Sequence, residues 1–203
     1  MVVGGDLSTS PVLMVSVTVA GSLHGPAHPG PLLRSGARPG DEILVTGALG
    51  ASAAGLRWLR HPDQGHHHEP DAEGARAAAI RAHRRPVARL DEGEVARIAG
   101  ATAAIDVSDG LVADIRHLAS ASGVGVELET IPAAAGSTAE EASGGGEEYE
   151  LLLTTGDRPR LERAFEAAGL RPPLWLGRCS ARPDRLTLGG VPLPPGGWTH
   201  DLG

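Results

Sequence analysis

The chain has 203 residues, a formal net charge of −7 and 41% hydrophobic residues. That length holds one full domain and part of another. The acidic balance argues against general nucleic-acid binding, which needs a concentrated basic face. Aromatic residues make up only 2%, so the core has to be built from Val, Leu, Ile and Ala. All 18 basic residues are Arg, and neither Lys nor Asn occurs. A lysine-bearing phosphate loop, a Schiff-base lysine and an Asn ligand are therefore excluded. The single cysteine, Cys179, permits no internal disulfide or Cys-based zinc site and reads as a buried structural thiol. With no apolar stretch of spanning length and no basic-then-apolar leader, a cytoplasmic protein without a membrane partner is expected.

Residues Val12 to Ala20 alternate Val15, Val17 and Val19 with Ser16 and Thr18, as a half-buried strand does. Gly21 to Gly40 is rich in Gly, Pro and His and reads as a linker or long loop near a domain boundary. A short strand, Glu42 to Thr46, turns through Gly47-Ala48-Leu49-Gly50 into a helix over Ala51 to Arg60. His61 to Pro70 is a polar loop. Its adjacent His66, His67 and His68 point in different directions on an extended chain, which favours a solvated surface over a shared metal. Helices are expected over Asp71 to Arg84 and, after the break at Pro86, over Val87 to Ala99.

Ala101 to Asp106 reads as a buried strand. Leu111 to Ser122 is the clearest helix, with Leu111, Val112, Ile115, Leu118 and Ala119 on one face and Gly123 as its stop. Val124 to Glu129 alternates as a strand. Gly144-Gly145-Gly146 reads as a flexible turn into Glu147-Glu148-Tyr149-Glu150 and the strand Leu151 to Thr155. A helix over Asp157 to Gly169 and short strands at Leu174 to Gly177 and Arg185 to Leu188 complete an α+β or α/β fold with no internal repeat.

The run Ile105-Asp106-Val107-Ser108-Asp109-Gly110 carries the most chemistry. Two carboxylates between a strand and a helix can share hard cations, and Mg²⁺ prefers carboxylates, phosphate oxygens and water. Ser108 and the first amides of the following helix offer donors where anions are favoured. The plain alternative is that Ser108 or Asp109 caps the helix; a cap leaves Asp106 unexplained. Gly4-Gly5-Asp6 is a second glycine-backed carboxylate, weak alone because Gly-Asp is also a common turn. Glu147, Glu148 and Glu150 crowd one short segment; on a strand Glu148 and Glu150 share a face and Glu147 opposes them, and a solvated acidic turn fits the spacing as well. Arg34 suits a phosphate clamp or an ordinary surface. Trp198 suits stacking on a flat ligand or anchoring the tail over the core.

Taken in order, these segments resemble the thiamine-monophosphate kinase family. The resemblance is carried by Gly-Gly-Asp (4–6), Arg-Ser-Gly-Ala-Arg-Pro-Gly-Asp (34–41), Val-Thr-Gly-Ala-Leu-Gly (45–50), Ile-Asp-Val-Ser-Asp-Gly-Leu (105–111) and Ala-Ser-Gly-Val-Gly (121–125). It extends through Gly-Gly-Glu-Glu-Tyr-Glu-Leu-Leu (145–152) and Gly-Gly-Trp-Thr-His (196–200), and so spans essentially the whole chain. The last two motifs separate this family from fold relatives among the aminoimidazole ribonucleotide and selenophosphate synthetases.

The resemblance implies an α+β fold: a C-terminal aminoimidazole ribonucleotide synthetase-like domain over residues 26–203, with 1–25 the remnant of an N-terminal ATP-binding domain. It implies transfer of the γ-phosphate of ATP to thiamine monophosphate, giving thiamine diphosphate, with Mg²⁺ as cofactor. Gly5, Asp6, Arg34 and Ser108 then contact ATP. Asp6, Asp106 and Asp109 hold Mg²⁺, and Glu147 and Trp198 meet the substrate. No nucleophile or general base is assigned, because phosphoryl transfer needs mainly positioning and charge neutralisation. A cytoplasmic enzyme, dimeric in many relatives, is implied.

The chain departs from the family pattern in places. It lacks the stretch that family members carry before Gly-Gly-Asp, which holds an acidic metal-binding motif. Leu7 stands for the usual Thr, Glu148 for Asp, Thr199 for Asp and Asp201 for an aromatic. A non-catalytic nucleotide- or substrate-binding fragment, or a partner subunit, is the alternative expectation.

Overall fold

The computed structural model describes residues 11–22, 30–62 and 72–197. Among these residues the chain forms β1 (Glu42–Val45), α1 (Ala51–Arg60), α2 (Ala72–Arg84), α3 (Leu90–Ala99), β2 (Ala103–Asp106), α4 (Leu111–Ser122) and β3 (Gly125–Leu128). It continues with α5 (Ala139–Gly144), β4 (Leu151–Thr155), α6 (Arg158–Ala167), β5 (Leu174–Ser180), β6 (Leu186–Leu188) and β7 (Val191–Pro192). The strands form one sheet in the order β2-β4-β1-β5-β3-β6-β7. All pairs are antiparallel except β3 with β6.

Both faces of the sheet centre are covered. Along β1, Ile43 and Val45 face a cluster with Leu111, Ile115 and Leu118 of α4, whereas Leu44 faces Ala96 and Ala99 of α3 with Leu161 and Phe165 of α6. Leu152 and Leu153 of β4 divide the same way. This explains why these strands are continuous apolar runs: a strand buried on two faces has no solvent side to mark with polar residues. Phe165, the only phenylalanine, is fully buried.

Two expectations need correction. Val12 to Ala20 forms no strand: residues 13–22 have no regular structure, and Leu13, Val15, Val17 and Val19 are 78–93% exposed. Alternation supplies a strand's faces, but a strand also needs a neighbouring strand to pair with, and the described residues place none beside this run. Gly144-Gly145-Gly146 is no flexible turn. Gly144 ends α5, and the two glycines after it are wedged between neighbours. The described part of the loop before β1 has no helix or strand, as expected, and is held in place: the Ala104 amide donates to the Leu33 carbonyl at 3.1 Å, and Ser122 Oγ to the Arg34 carbonyl at 2.7 Å. The three adjacent histidines lie outside the described residues.

Candidate active site

The β2–α4 connection, residues 107–110, is the centre of the site. Its shape is set by a residue that sequence reasoning did not single out. Asp114, in the first turn of α4, is buried, and its Oδ2 accepts hydrogen bonds from the amides of Ser108 (3.0 Å), Asp109 (3.0 Å) and Gly110 (3.1 Å). The three amides that lead into the helix are therefore already engaged. Neither Ser108 nor Asp109 caps the helix; the cap position is Gly110, at φ 110°. A Cβ there would lie 2.7 Å from the Gly144 carbonyl oxygen. Burial, the largest influence, and repulsion from Asp109 and Asp106 hold the Asp114 carboxyl above the usual range, against the lowering effect of the amide bonds.

A second segment closes on this loop. The Glu147 amide donates to the Ser108 carbonyl at 2.8 Å, and those of Glu148 and Tyr149 donate to the Val107 carbonyl at 3.2 and 2.9 Å. The Val107 amide returns a bond to the Glu150 carbonyl at 2.8 Å. The approach is so close that a Cβ on Gly146 would stand 2.4 Å from the Ser108 carbonyl oxygen. Glu147 and Tyr149 both adopt left-handed backbone, at φ 63° and 54°. Of the two readings its spacing left open, the segment is therefore a turn and not a strand.

The three glutamates have three separate jobs. Glu147 is exposed, and its Oε2 accepts from the Tyr149 hydroxyl at 3.0 Å. Glu148 turns away to the start of α1, where its Oε1 accepts from the Ser52 amide at 2.8 Å. Burial pushes the Glu148 carboxyl up to about 7, outweighing the lowering effect of the helix-start amides it faces. Glu150 is buried and structural. It accepts from Thr46 Oγ1 and from Arg89, whose Nε lies at 2.9 Å.

The Tyr149 hydroxyl joins the two segments electrostatically. Its bond to Glu147 comes first, and burial with repulsion from Glu147, Asp106 and Asp109 adds to it, so the phenol loses its proton less readily than usual. The Asp106 and Asp109 carboxylates are half-buried and make no ion pair or hydrogen bond among the described residues. Asp109, Asp114 and His117 bring one ligand atom each within 4.8 Å of one another; Asp106 stands outside that tight group. Two of these three donors are carboxylate oxygens and the third is a His117 ring nitrogen; with the Asp106 carboxylate nearby, the oxygen donors are the ones that suit Mg²⁺.

Arg34 is exposed and lines a shallow depression with Ser35, Ile105 and Asp106, so a guanidinium and a carboxylate that are both unpaired among the described residues share one surface. Ser108 is half-buried, and its hydroxyl is uncommitted among the described residues. The tail reaches the same place. Arg116 Nη2 donates to the carbonyls of Leu193 (2.8 Å) and Pro194 (3.0 Å), and Gly197 packs against Ala113 and the Asp109 carbonyl oxygen. Gly5, Asp6 and Trp198 lie outside the described residues. Of the predicted site residues, the structure brings together Asp106, Ser108, Asp109 and Glu147, with Arg34 beside Asp106. Asp114 and Tyr149 were missed. An acidic residue in a first helical turn is the visible signal for Asp114; Tyr149 had only its place beside Glu147.

Residues 38–171 match the model for "AIR synthase related protein, C-terminal domain", and the chain belongs to that family. Among known proteins, it is 37% identical to the thiamine-monophosphate kinase of Mycobacterium tuberculosis, over 93% of this chain and 54% of that relative. It is 38% identical to the thiamine-monophosphate kinase of Salmonella typhimurium, over 88% of this chain and 55% of that relative. Among solved structures, AaThiL complexed with AMPPCP and TMP superposes with a TM-score of 0.68 at 34% identity, over 83% of this chain and 54% of that one. The chain thus spans about half the length of the relatives it matches.

Proposed function

We propose that this chain carries the metal- and substrate-facing half of a kinase that transfers the γ-phosphate of ATP to thiamine monophosphate, releasing thiamine diphosphate. The observation that carries the reading is the convergence of the 106–110 and 145–149 segments, in a chain 37–38% identical to thiamine-monophosphate kinases. The ligands of the related complex, AMPPCP and TMP, fit the same chemistry.

Asp106 and Asp109 would hold Mg²⁺, with Asp6 as a further ligand. Bound Mg²⁺ would neutralise charge developing on the transferred phosphoryl group. The chain's own residues position the reactants. Asp114 locks the loop that presents Asp109. Ser108 and Arg34, with Gly5, contact ATP; Glu147 and Trp198 hold the thiamine compound. A phosphate oxygen of the substrate is itself the nucleophile, so no protein nucleophile is required. Residues 26–203 then form the aminoimidazole ribonucleotide synthetase-like domain and 1–25 the end of the ATP-binding domain, in a cytoplasmic homodimer.

Incubating the full chain with ATP, Mg²⁺ and thiamine monophosphate, and separating products chromatographically, tests the activity. Thiamine diphosphate is expected. Binding of both ligands by calorimetry without product would leave a binding module; neither binding nor product would overturn the reading.

A further inference from the structure

Tyr149 is the only tyrosine in the chain, and nothing in the proposed reaction uses it. Its backbone sits at φ 54°, a conformation uncommon for a bulky side chain. Glu147, two residues earlier, is also left-handed. Such strain persists only where the surroundings over-determine it, and it gathers at functional sites. Here the over-determination is visible. The Val107 carbonyl receives both the Glu148 and the Tyr149 amide, while the Ser108 carbonyl receives that of Glu147. The outcome of this arrangement is one side-chain contact: the Tyr149 hydroxyl donates to Glu147 Oε2 at 3.0 Å.

The contact solves a particular problem. Glu147 is exposed, and an exposed glutamate samples many rotamers at little cost. It also lies near Asp106 and Asp109, so an unrestrained carboxylate would compete for the same cations. A phenol is a donor without positive charge. It can hold a carboxylate oxygen in place without cancelling the charge that recognises a ligand. The remaining oxygen, Oε1, accepts no bond among the described residues.

We propose that Tyr149 is a positioning residue: its hydroxyl fixes the Glu147 carboxylate beside the acidic cluster so that the second oxygen meets the thiamine compound rather than a metal ion. This rests on the reading of Glu147 as a substrate contact.

The single tyrosine makes the hydrogen bond directly observable. In full-length protein labelled with ¹³C on tyrosine, one Cζ resonance reports the phenol. Glu147→Gln should move that resonance at neutral pH and bring the alkaline titration midpoint down toward that of a free phenol. Tyr149→Phe should weaken thiamine monophosphate binding about tenfold, the loss of one charge-assisted hydrogen bond, while ATP binding stays within about twofold and the circular dichroism spectrum is unchanged. An unmoved resonance in Glu147→Gln would show that the bond is absent. A moved resonance with undiminished substrate binding in Tyr149→Phe would show that the bond positions nothing. If the wild-type chain binds no thiamine monophosphate, the substrate reading falls and the positioning role with it, and the resonance still reports separately whether the bond exists.

Discussion

Removing the Asp114 carboxylate should cost stability well beyond an ordinary helix-surface substitution. In Asp114→Ala three amides lose their acceptor at once. Gly110 is buried, so its stranded N–H costs about 1–3 kcal/mol, while Ser108 and Asp109 are half-buried and water recovers part of their loss at about 0.5–1 kcal/mol each. The sum is about 3 kcal/mol, reduced somewhat because burial of the ionised carboxylate is itself unfavourable. Asp114→Asn keeps one oxygen where Oδ2 stands and removes the buried charge, so it should lose less than half as much. Urea unfolding followed by circular dichroism reads both variants, with an unchanged slope certifying that the comparison is of native stability. Asp114→Ala within about 0.5 kcal/mol of wild type would refute the assignment of Asp114 as the loop's anchor.

Other predictions follow from the same geometry. Glu148 has a folded-state pKa of about 7 against an ordinary 4.5, so the folded protein binds this proton more tightly. Its contribution is present below pH 4.5 and is lost as pH rises to about 7, an effect of about 3 kcal/mol at most. Glu148→Gln should flatten that part of the stability–pH profile, and an unaltered slope would contradict it. Arg89→Ala strands the Glu150 carboxylate, which is only 8% exposed, and should cost about 2–4 kcal/mol in urea unfolding; Arg178→Ala, whose exposed guanidinium stands 3.6 Å from a half-buried Glu42, should cost about 0.5 kcal/mol or less. Gly146→Ala forces a Cβ against the Ser108 carbonyl, so it should impair Mg²⁺-dependent nucleotide binding by calorimetry more than a Gly21→Ala control, where nothing lies within 4 Å. Equal affinities in those two variants would count against the tight packing of the two segments.

Much of this was legible in the residues, for identifiable reasons. The helix over Leu111 to Ser122 matched α4 residue for residue, because its apolar stripe and the Gly123 stop agree, and Gly123 takes the left-handed conformation expected of it. β1 and β4 were legible as apolar runs of strand length. The short α5 was not, although Thr138 and Glu141 form a capping box that the spacing Thr-Ala-Glu-Glu already displays; the following glycines drew attention to a turn instead. The Val12 to Ala20 run shows the converse limit, since alternation cannot supply a partner strand. Asp106, Ser108, Asp109 and Glu147 stood out as candidates because their motifs are contiguous, and the structure brings these segments together. The separate duties of Glu148 and Glu150 were hidden, because they depend on two long-range contacts, with Ser52 and with Arg89. Cys179 is the buried thiol it was expected to be, with burial holding its pKa up to about 12, so it is inert at neutral pH.

If Asp106 and Asp109 hold Mg²⁺ for a bound nucleotide, nucleotide binding must depend on both the metal and these two carboxylates. Calorimetric titration of AMPPCP into the full chain, with and without Mg²⁺, tests it most directly when repeated on the Asp106→Asn, Asp109→Asn double variant. Mg²⁺-dependent binding to the wild-type chain is expected, and the double variant should lose it while keeping its fold. Equal affinity in both proteins, or binding indifferent to Mg²⁺, would contradict it.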